Sequence, residues 1–203
     1  MEDNPRIRNS KIWEVESFTF HKGCRICLQA ESGGGKSSLL SFIYGNRTDY
    51  SGEILFDGEN IRNLSIRGWC GIRKSQIARL PQEMRLFPEL TAYANIQLKN
   101  SLTRHKSEKE IDEMLNLLGV LEKKDVPVAK LSIGQQQRVA LIRSLCQPFD
   151  FIFLDEPVSH LDEANNKTVA RLVEKESEKN NAGIITTSVG NNLLLENPEF
   201  INL

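Results

Sequence analysis

The chain has 203 residues, of which 39% are hydrophobic and 26% are charged, and its formal net charge is −1. This composition is typical of a soluble globular protein with one sizeable core, and the charge gives no general reason to expect nucleic acid binding. No apolar run approaches the roughly 20 residues that span a bilayer, so we expect no transmembrane segment. Residues 1–5 are acidic and polar, unlike a secretory signal peptide.

The first predicted elements are two short strands at residues 12–20 and 25–29, which turn at residues 21–23. Cys24 and Cys27 have the C-x-x-C spacing of a redox motif or of half a zinc site. No second pair of ligands accompanies them. We therefore interpret them as reduced cysteines in the core of an intracellular protein.

Residues 30–38 (AESGGGKSS) connect the second strand to a predicted helix that ends before Gly45. Strand, glycine-rich turn, Lys-Ser and helix are arranged as a nucleoside triphosphate requires, because the N–H groups of the turn and of the helix start attract phosphate. A flexible surface loop is the weaker alternative. The predicted nucleotide ligands are Ser32, Gly33, Gly34, Gly35, Lys36, Ser37 and Ser38.

Three residues of this loop have predicted roles of their own. Lys36 would neutralise β- and γ-phosphate oxygens, and the hydroxyl of Ser37 would ligate Mg²⁺. Ala30 stands where the P-loop pattern has its first glycine, and a small residue there still permits the turn. We predict a nucleotide site.

Two more short strands are predicted at residues 51–58 and 77–80, the second ended by Pro81. From residue 82 to about residue 147 the pattern becomes helical. The sequence therefore predicts an α/β core that is interrupted by a mainly helical insertion.

Two helix starts in this insertion have the spacing of a capping box. Ser107 precedes Glu110 by three residues, and Ser132 precedes Gln135 in the same way. The second start also has Gly134 in its first turn. On local sequence alone it is either a plain structural cap, which is favoured, or a helix start that presents N–H groups to an anion.

Residues 149–154 are nearly all apolar, which suits a strand buried on both faces of a parallel sheet. Asp155 and Glu156 close this strand, at the edge where ligand sites of parallel sheets form. Asp155 would hold Mg²⁺ opposite Ser37, and Glu156 would polarise the water that attacks the γ-phosphate. An acidic turn without chemistry is the alternative, which the upstream P-loop disfavours. Further along, Asp162 would cap a helix, and strands are predicted at residues 183–188 and 200–203.

These motifs resemble the nucleotide-binding domain of ATP-binding cassette (ABC) ATPases over essentially the whole chain. The Q-loop lies at residues 80–82, the signature sequence at residues 131–138 (LSIGQQQR), the Walker B strand at residues 151–156 and the D-loop at residues 159–162 (SHLD). A P-loop alone indicates only an NTPase, whereas a signature between Q-loop and Walker B is highly specific.

The resemblance implies a single ABC domain over residues 1–203, with a P-loop NTPase (RecA-like) α/β core and a short antiparallel β region. Residues 1–81 and 148–203 would form the core, and residues 82–147 would form an inserted, mainly helical subdomain that carries the signature. In the family, two such domains close head to tail on two ATP molecules.

In that arrangement, Ser132, Gly134 and Gln135 would reach the γ-phosphate that the opposite subunit holds. Gln82 would contact Mg²⁺ and the lytic water. The implied catalytic residues are Glu156, Gln82 and Lys36, and the implied metal ligands are Ser37, Gln82 and Asp155.

The implied partners are a second ABC ATPase subunit, identical or not, and an integral membrane permease. The permease would keep the chain at the cytoplasmic face of the membrane. Residues 84–93 would help to form the groove that receives it, although internal packing accounts for several of their apolar side chains. Cassette proteins of translation or DNA repair are disfavoured, since the chain has no tandem cassette and no basic excess.

Three positions depart from the family pattern. Ile133 replaces the first of two signature glycines, and Ser188 stands where the family has a switch histidine. Residues 1–10 hold no aromatic residue to stack on adenine, and we interpret Trp13 as a core residue instead. His160 would either contact the partner across the dimer interface or be an exposed loop side chain. These departures leave an alternative function open, an ATP-binding regulatory or degenerate partner subunit with little hydrolysis.

Overall fold

The computed structural model describes Ile12 and residues 16–203, and Trp13 therefore lies outside the described residues. Its strands are β1 (Arg25–Gln29), β2 (Leu55–Phe56), β3 (Glu59–Asn60), β4 (Ile77–Leu80), β5 (Phe151–Asp155), β6 (Gly183–Ser188) and β7 (Glu199–Asn202). Five of them form a sheet in the order β4-β5-β6-β1-β7, in which every pair is parallel. Strands β2 and β3 form a separate antiparallel hairpin.

The helices are α1 (Lys36–Ile43), α2 (Ile66–Ser75), α3 (Ala92–Asn100), α4 (Glu108–Leu117), α5 (Ile133–Leu145) and α6 (Glu163–Asn180). Short 3₁₀ segments lie at Ile61–Asn63, Leu121–Lys123 and Val128–Lys130. Within the described part of the chain, none of the helices combines the length and apolar character needed to span a bilayer. Together with the parallel sheet, these helices confirm the predicted α/β fold class.

The central strands are buried on both faces, as the apolar run before Asp155 predicts. Ile152 and Leu154 of β5 pack in a cluster with side chains of α3, α4, α5 and α6. Phe153 points to the opposite face, because side chains alternate along a strand, and packs in a second cluster with side chains of α1 and α2. The carboxyl ends of β1, β5 and β6 thus meet at one edge of a sheet that is covered on both sides.

The helix starts follow the predicted capping chemistry. Ser107 with Glu110 and Ser132 with Gln135 each form a reciprocal capping box. Asp162 accepts a hydrogen bond of 2.8 Å from the backbone N–H of Asn165 at the start of α6. These caps fix where α4, α5 and α6 begin.

Two strand predictions are wrong in part. Ile12 and residues 16–20 form no strand, and no described strand lies alongside them to supply hydrogen bonds. Instead, Phe18 and Phe20 contact each other edge to face and pack against the second cluster. Between residues 51 and 58 only β2 is extended, since Asp57 and Gly58 both have positive φ and turn the chain into β3.

Residues 82–147 contain α3, α4, α5 and two of the 3₁₀ segments, and none of the seven strands. Their apolar side chains share one cluster with residues of β5 and α6. The boundaries of a separate helical subdomain remain a prediction.

Candidate nucleotide-binding site

The turn between β1 and α1 is closed so tightly that only glycine fits in its middle. A Cβ on Gly34 would lie 2.6 Å from the Cβ of Ala30 and 3.0 Å from the carbonyl oxygen of Glu31. Gly33 and Gly35 have φ of +81° and +91°, in the left-handed region that favours glycine. Ala30 is therefore compatible with the turn because Gly34 has no side chain.

Lys36 is buried at the start of α1, with 5% of its surface exposed. Its Nζ donates hydrogen bonds of 2.7 Å and 3.1 Å to the carbonyl oxygens of Ala30 and Glu31. Burial lowers the pKa of Lys36, and the nearby charges of Glu156 and Asp155 oppose this shift only in part. The ammonium group thus lies at the turn with dipoles as its direct partners, and an anion there would stabilise it.

Asp155 lies at the end of β5, with 2% of its surface exposed. Its Oδ1 accepts hydrogen bonds from the hydroxyls of Ser37 at 3.1 Å and Thr187 at 2.7 Å. Thr187 occupies the facing position on β6, and its Oγ1 also accepts a hydrogen bond from the N–H of Glu156 at 3.2 Å. Asp155 thus lies opposite Ser37 as predicted and bonds to it directly, while Thr187, which no sequence motif marks, provides a second hydrogen bond to the same oxygen.

The donor set around Asp155 fits Mg²⁺. A buried carboxylate usually has a cationic partner, and no described lysine, arginine or histidine forms an ion pair with Asp155. No described group of three or more His, Cys, Asp or Glu residues could hold a metal ion. Asp155 and Ser37 alone are enough for Mg²⁺, because Mg²⁺ binds through one or two protein ligands together with phosphate and water.

Glu156 has φ of +51°, an unusual conformation for a residue other than glycine. Its carbonyl oxygen accepts hydrogen bonds from Gln137 at 3.0 Å and from Ser159 at 3.2 Å, which hold the turn. Its carboxylate accepts a hydrogen bond of 3.3 Å from the side chain of Gln82. The structure therefore brings the Q-loop glutamine and the proposed base together, while their roles remain predictions.

Ser132, Gly134 and Gln135 lie exposed or half-buried at the start of α5, where Ser132 and Gln135 bond to each other. None of the described hydrogen bonds connects Ser132, Gly134 or Gln135 to the P-loop of the same chain. Ile133 is 55% exposed and does not crowd its own chain. A Cβ on Gly134 would lie 3.2 Å from the carbonyl oxygen of His160, so the D-loop packs directly on this glycine.

Ser188 ends β6 beside the P-loop, where the switch residue is predicted. It is 2% exposed, and its Oγ has no hydrogen-bond partner among the described residues. Together with Ala30, Glu31 and Gly190 it lines a cleft of about 370 Å³. A small hydroxyl at this strand end thus leaves open space next to the phosphate-binding turn.

In addition to Thr187, two other residues near the site were not predicted from the sequence. Gln137 connects α5 to the turn at Glu156, and its signal was its place within the signature sequence. The Nη1 of Arg47 donates a hydrogen bond of 2.9 Å to the Oγ of Ser38, and Asp49 holds the rest of the guanidinium. No local pattern marks Arg47, because its role depends on how the chain folds back after α1.

The C-x-x-C pair does not have the properties of a redox site. Cys24 and Cys27 are free thiols, and Cys27 is buried. Burial raises the pKa of both thiols, that of Cys27 to about 11. Such thiols are poor nucleophiles at neutral pH, in agreement with reduced core cysteines.

Comparison with known proteins places this chain in a family. The family model described as ABC transporter matches residues 14–159. The chain is 31% identical over 186 residues to the lipoprotein-releasing system ATP-binding protein LolD of Treponema denticola, covering 90% of this chain and 82% of that protein. It is 32% identical over 176 residues to the probable ABC transporter ATP-binding protein PEB1C of Campylobacter jejuni, covering 85% of this chain and 72% of that protein.

Solved structures give the same result. The dimeric structure of MJ0796, a bacterial ABC transporter cassette, superimposes with a TM-score of 0.80 at 25% identity, covering 91% of this chain and 84% of that chain. The dimer of MJ0796 in a post-hydrolysis state with ADP and Pi gives a TM-score of 0.75 at 26% identity, covering 84% and 77%. The chain therefore belongs to the ABC transporter family, and its fold is that of the family's ATP-binding cassettes.

Proposed function

We propose that this chain binds and hydrolyses ATP as the ATPase subunit of a transporter, pairing head to tail with a second cassette. Closure of the pair on two ATP molecules would move a separate membrane permease, which would hold the chain at the cytoplasmic face of the membrane. The observation that carries the proposal is the convergence of Lys36, Ser37, Asp155, Glu156 and Gln82 at one edge of the sheet.

Each of these residues has a part in the proposed mechanism. The N–H groups of residues 32–38 and the ammonium of Lys36 bind the phosphates, since both present positive charge to the turn. Ser37 and Asp155 would hold Mg²⁺, which would neutralise phosphate charge. Glu156 accepts a proton from the attacking water, and Gln82, already in contact with that carboxylate, positions the water.

The relatives support the oligomeric and transport parts of the proposal. LolD belongs to a lipoprotein-releasing system by its name, and the MJ0796 cassette is dimeric with ADP and Pi bound. In the proposed pair, Ser132, Gly134 and Gln135 of one copy complete the γ-phosphate site of the other. Their exposure in the single chain supports this role, because the facing P-loop can reach them.

A second candidate function is a regulatory or degenerate subunit that binds ATP and dimerises but turns over little. The specific observation in its favour is Ser188, which cannot supply a cation to the γ-phosphate and whose hydroxyl has no described partner. The intact Glu156 argues against this candidate.

Steady-state phosphate release from MgATP tests the two candidates. Glu156→Gln keeps the shape and hydrogen bonds of the side chain but removes the base, so we expect turnover to fall about 10²- to 10⁴-fold while ATP binding persists. Glu113→Gln, at an exposed carboxylate of α4, is the matched control and leaves turnover unchanged. ATP binding without turnover in wild type favours the second candidate, and absence of ATP binding overturns both.

A further inference from the structure

The described residues supply no basic group to the cleft at Ser188. Glu31 is its charged lining residue, and no lysine, arginine or histidine of the described chain lines it. A γ-phosphate bound at this turn carries negative charge on the side that faces the cleft, and among the described lining residues Ser188 is the one with a hydroxyl. None of these residues supplies a cation on this side of the site.

His160 is an exposed histidine whose ring contacts the neighbouring Ser159. Its Nδ1 lies 3.0 Å from the Oγ of Ser159. The same hydroxyl lies 3.2 Å from the carbonyl oxygen of Glu156, so in the imidazolium form of His160 it accepts from Nδ1–H and donates its own proton to that carbonyl. Nε2 is left as the outward nitrogen, without a hydrogen-bond partner among the described residues.

The backbone of His160 is fixed to the signature helix. Its carbonyl oxygen lies against Gly134, where a Cβ would come within 3.2 Å. Its N–H donates a hydrogen bond of 3.3 Å to Gln137, whose amide also bonds to the carbonyl oxygen of Glu156. Whatever surface Gly134 approaches, His160 therefore approaches as well.

We propose that His160 of one copy enters the cleft at Ser188 of a second copy and donates a hydrogen bond from Nε2 to the γ-phosphate bound there. This inference rests on the proposed head-to-tail pair, in which Gly134 faces the P-loop of the other copy. The imidazolium form donates from both nitrogens, one to Ser159 and one to the phosphate. A histidine of the D-loop thus supplies from the partner copy the cation that the end of β6 lacks.

Phosphate release by His160→Ala is the first test. Hydrogen bonds to charged groups contribute about 1.5–3 kcal/mol, which corresponds to turnover about 10- to 100-fold below wild type with ATP binding retained. Ser188→His in the His160→Ala protein returns a cation to the cleft from the same chain, and we expect it to restore most of the lost rate. His21→Ala, at an exposed histidine on the turn before β1, is the control and leaves the rate unchanged.

Mixed pairs test whether the histidine acts on its own copy or on the other one. A Glu156→Gln copy still binds ATP and carries His160, whereas a His160→Ala copy carries the intact base. If His160 acts across the pair, an equal mixture contains one complete site in every mixed pair. The expected rate is about a quarter of wild type, since half of the pairs are mixed, and it exceeds the rate of either variant alone.

The outcomes separate this inference from the proposed function. Wild-type turnover with an unchanged rate in His160→Ala overturns the role of His160 and leaves the ATPase proposal intact. Loss of rate in His160→Ala without recovery in the mixture overturns action across the pair. Failure of the wild-type protein to bind ATP or release phosphate overturns the proposed function, and this inference with it.

Discussion

Lys36 and Lys106 are two lysines buried to almost the same degree, with 5% and 6% of their surface exposed, yet their surroundings differ. The Nζ of Lys106 lies 2.5 Å from a carboxylate oxygen of Glu176, which is itself 3% exposed. Lys36 has two carbonyl oxygens as direct partners and no ion pair within the described residues. One lysine is part of a completed ion pair, and the other is a buried charge whose nearby carboxylates, Glu156 and Asp155, form no direct ion pair with it among the described contacts.

The pKa values of Glu176, the partner of Lys106, and of Lys36 are shifted in ways that match this difference. Although burial by itself raises the pKa of Glu176, hydrogen bonds from Lys106 and Lys179 outweigh it and lower that pKa. Burial lowers the pKa of Lys36, so the folded chain holds that proton less tightly than the unfolded chain does. The charged form of Lys36 therefore opposes folding, and that of Glu176 favours it at neutral pH. A buried charge that opposes folding, beside a carboxylate without a cation, indicates a ligand site.

The same substitution at both lysines tests the comparison, and the larger effect is expected at Lys106. Lys106→Met leaves Glu176 buried without its main partner, so we expect the free energy of unfolding to fall by about 3–5 kcal/mol. Chemical denaturation measures this loss. ATP affinity of the folded protein stays unchanged, because Lys106 connects the segment after α3 to α6, away from the P-loop.

The double variant Lys106→Met/Glu176→Leu is the control. With both charges removed, most of the lost stability returns, since no unpaired charge remains buried. A double variant as unstable as Lys106→Met would show that packing rather than the unpaired carboxylate accounts for the loss.

Lys36→Met has the opposite signature. We expect ATP affinity to fall by at least about 100-fold, because the ammonium that contacts the phosphates is lost. The free energy of unfolding without nucleotide stays the same or rises, since the buried charge opposes folding. ATP titration and denaturation of the same samples give both numbers.

Lys99→Met is a matched control for Lys36. Lys99 is half-buried, donates a hydrogen bond of 3.1 Å to the carbonyl oxygen of Arg73, and has its pKa lowered by burial. It lies outside the P-loop, so ATP affinity is expected to remain at the wild-type value. Equal losses of affinity in both variants would contradict a specific role for Lys36.

Thr187→Val removes a hydroxyl that both carboxylate residues of the site use. Asp155 loses its 2.7 Å hydrogen bond, and the N–H of Glu156 loses its acceptor. We expect the free energy of unfolding to fall by about 1–3 kcal/mol and the Mg²⁺ concentration for half-maximal turnover to rise. Thr186→Val is the control, because Thr186 is equally buried and its hydroxyl has no described partner. Equal effects in both variants would show that the hydroxyl of Thr187 has no special part in the site.

Thr187 also shows which part of the site the sequence could predict. The glycine turn and the capping boxes act over three or four residues, so local sequence was enough to predict them. Thr187 and Gln137 act on residues 32 and 19 positions away. Their partners depend on which strands are neighbours and in what register. Patterns over a few residues of sequence do not reveal this.

The fold shows the same limit. Helix α2 was not predicted, because Gly68 and Gly71 weaken its helical propensity and the cap at Ser65 is its main local signal. Packing on another part of the chain also stabilises it, because Arg73 of α2 lies over the ring of Tyr44, just after α1. Within α2, Arg73 also lies over the ring of Trp69. Conversely, a strand is predicted at residues 12–20, but Ile12 and residues 16–20 have no described strand beside them and do not form one.

Ile133→Gly is expected to have the smallest effect. It tests an exposed residue of the signature sequence, in contrast to the two buried lysines. Ile133 is 55% exposed at the first position of α5, so its removal costs the single chain less than about 1 kcal/mol. If the side chain crowds the phosphate of a facing copy, Ile133→Gly in the Glu156→Gln background lowers the ATP concentration needed for pairing a few-fold. Analytical ultracentrifugation at increasing ATP measures this concentration.

Ile133→Ala separates the two ways in which Ile133 could act. Alanine removes the bulk but keeps an ordinary backbone, so an equal gain in both variants assigns the effect to crowding. A gain with glycine alone assigns it to backbone freedom at the helix start. No gain in either variant means that the facing copy tolerates an exposed isoleucine at this position, and the departure from the family pattern then has no effect on pairing.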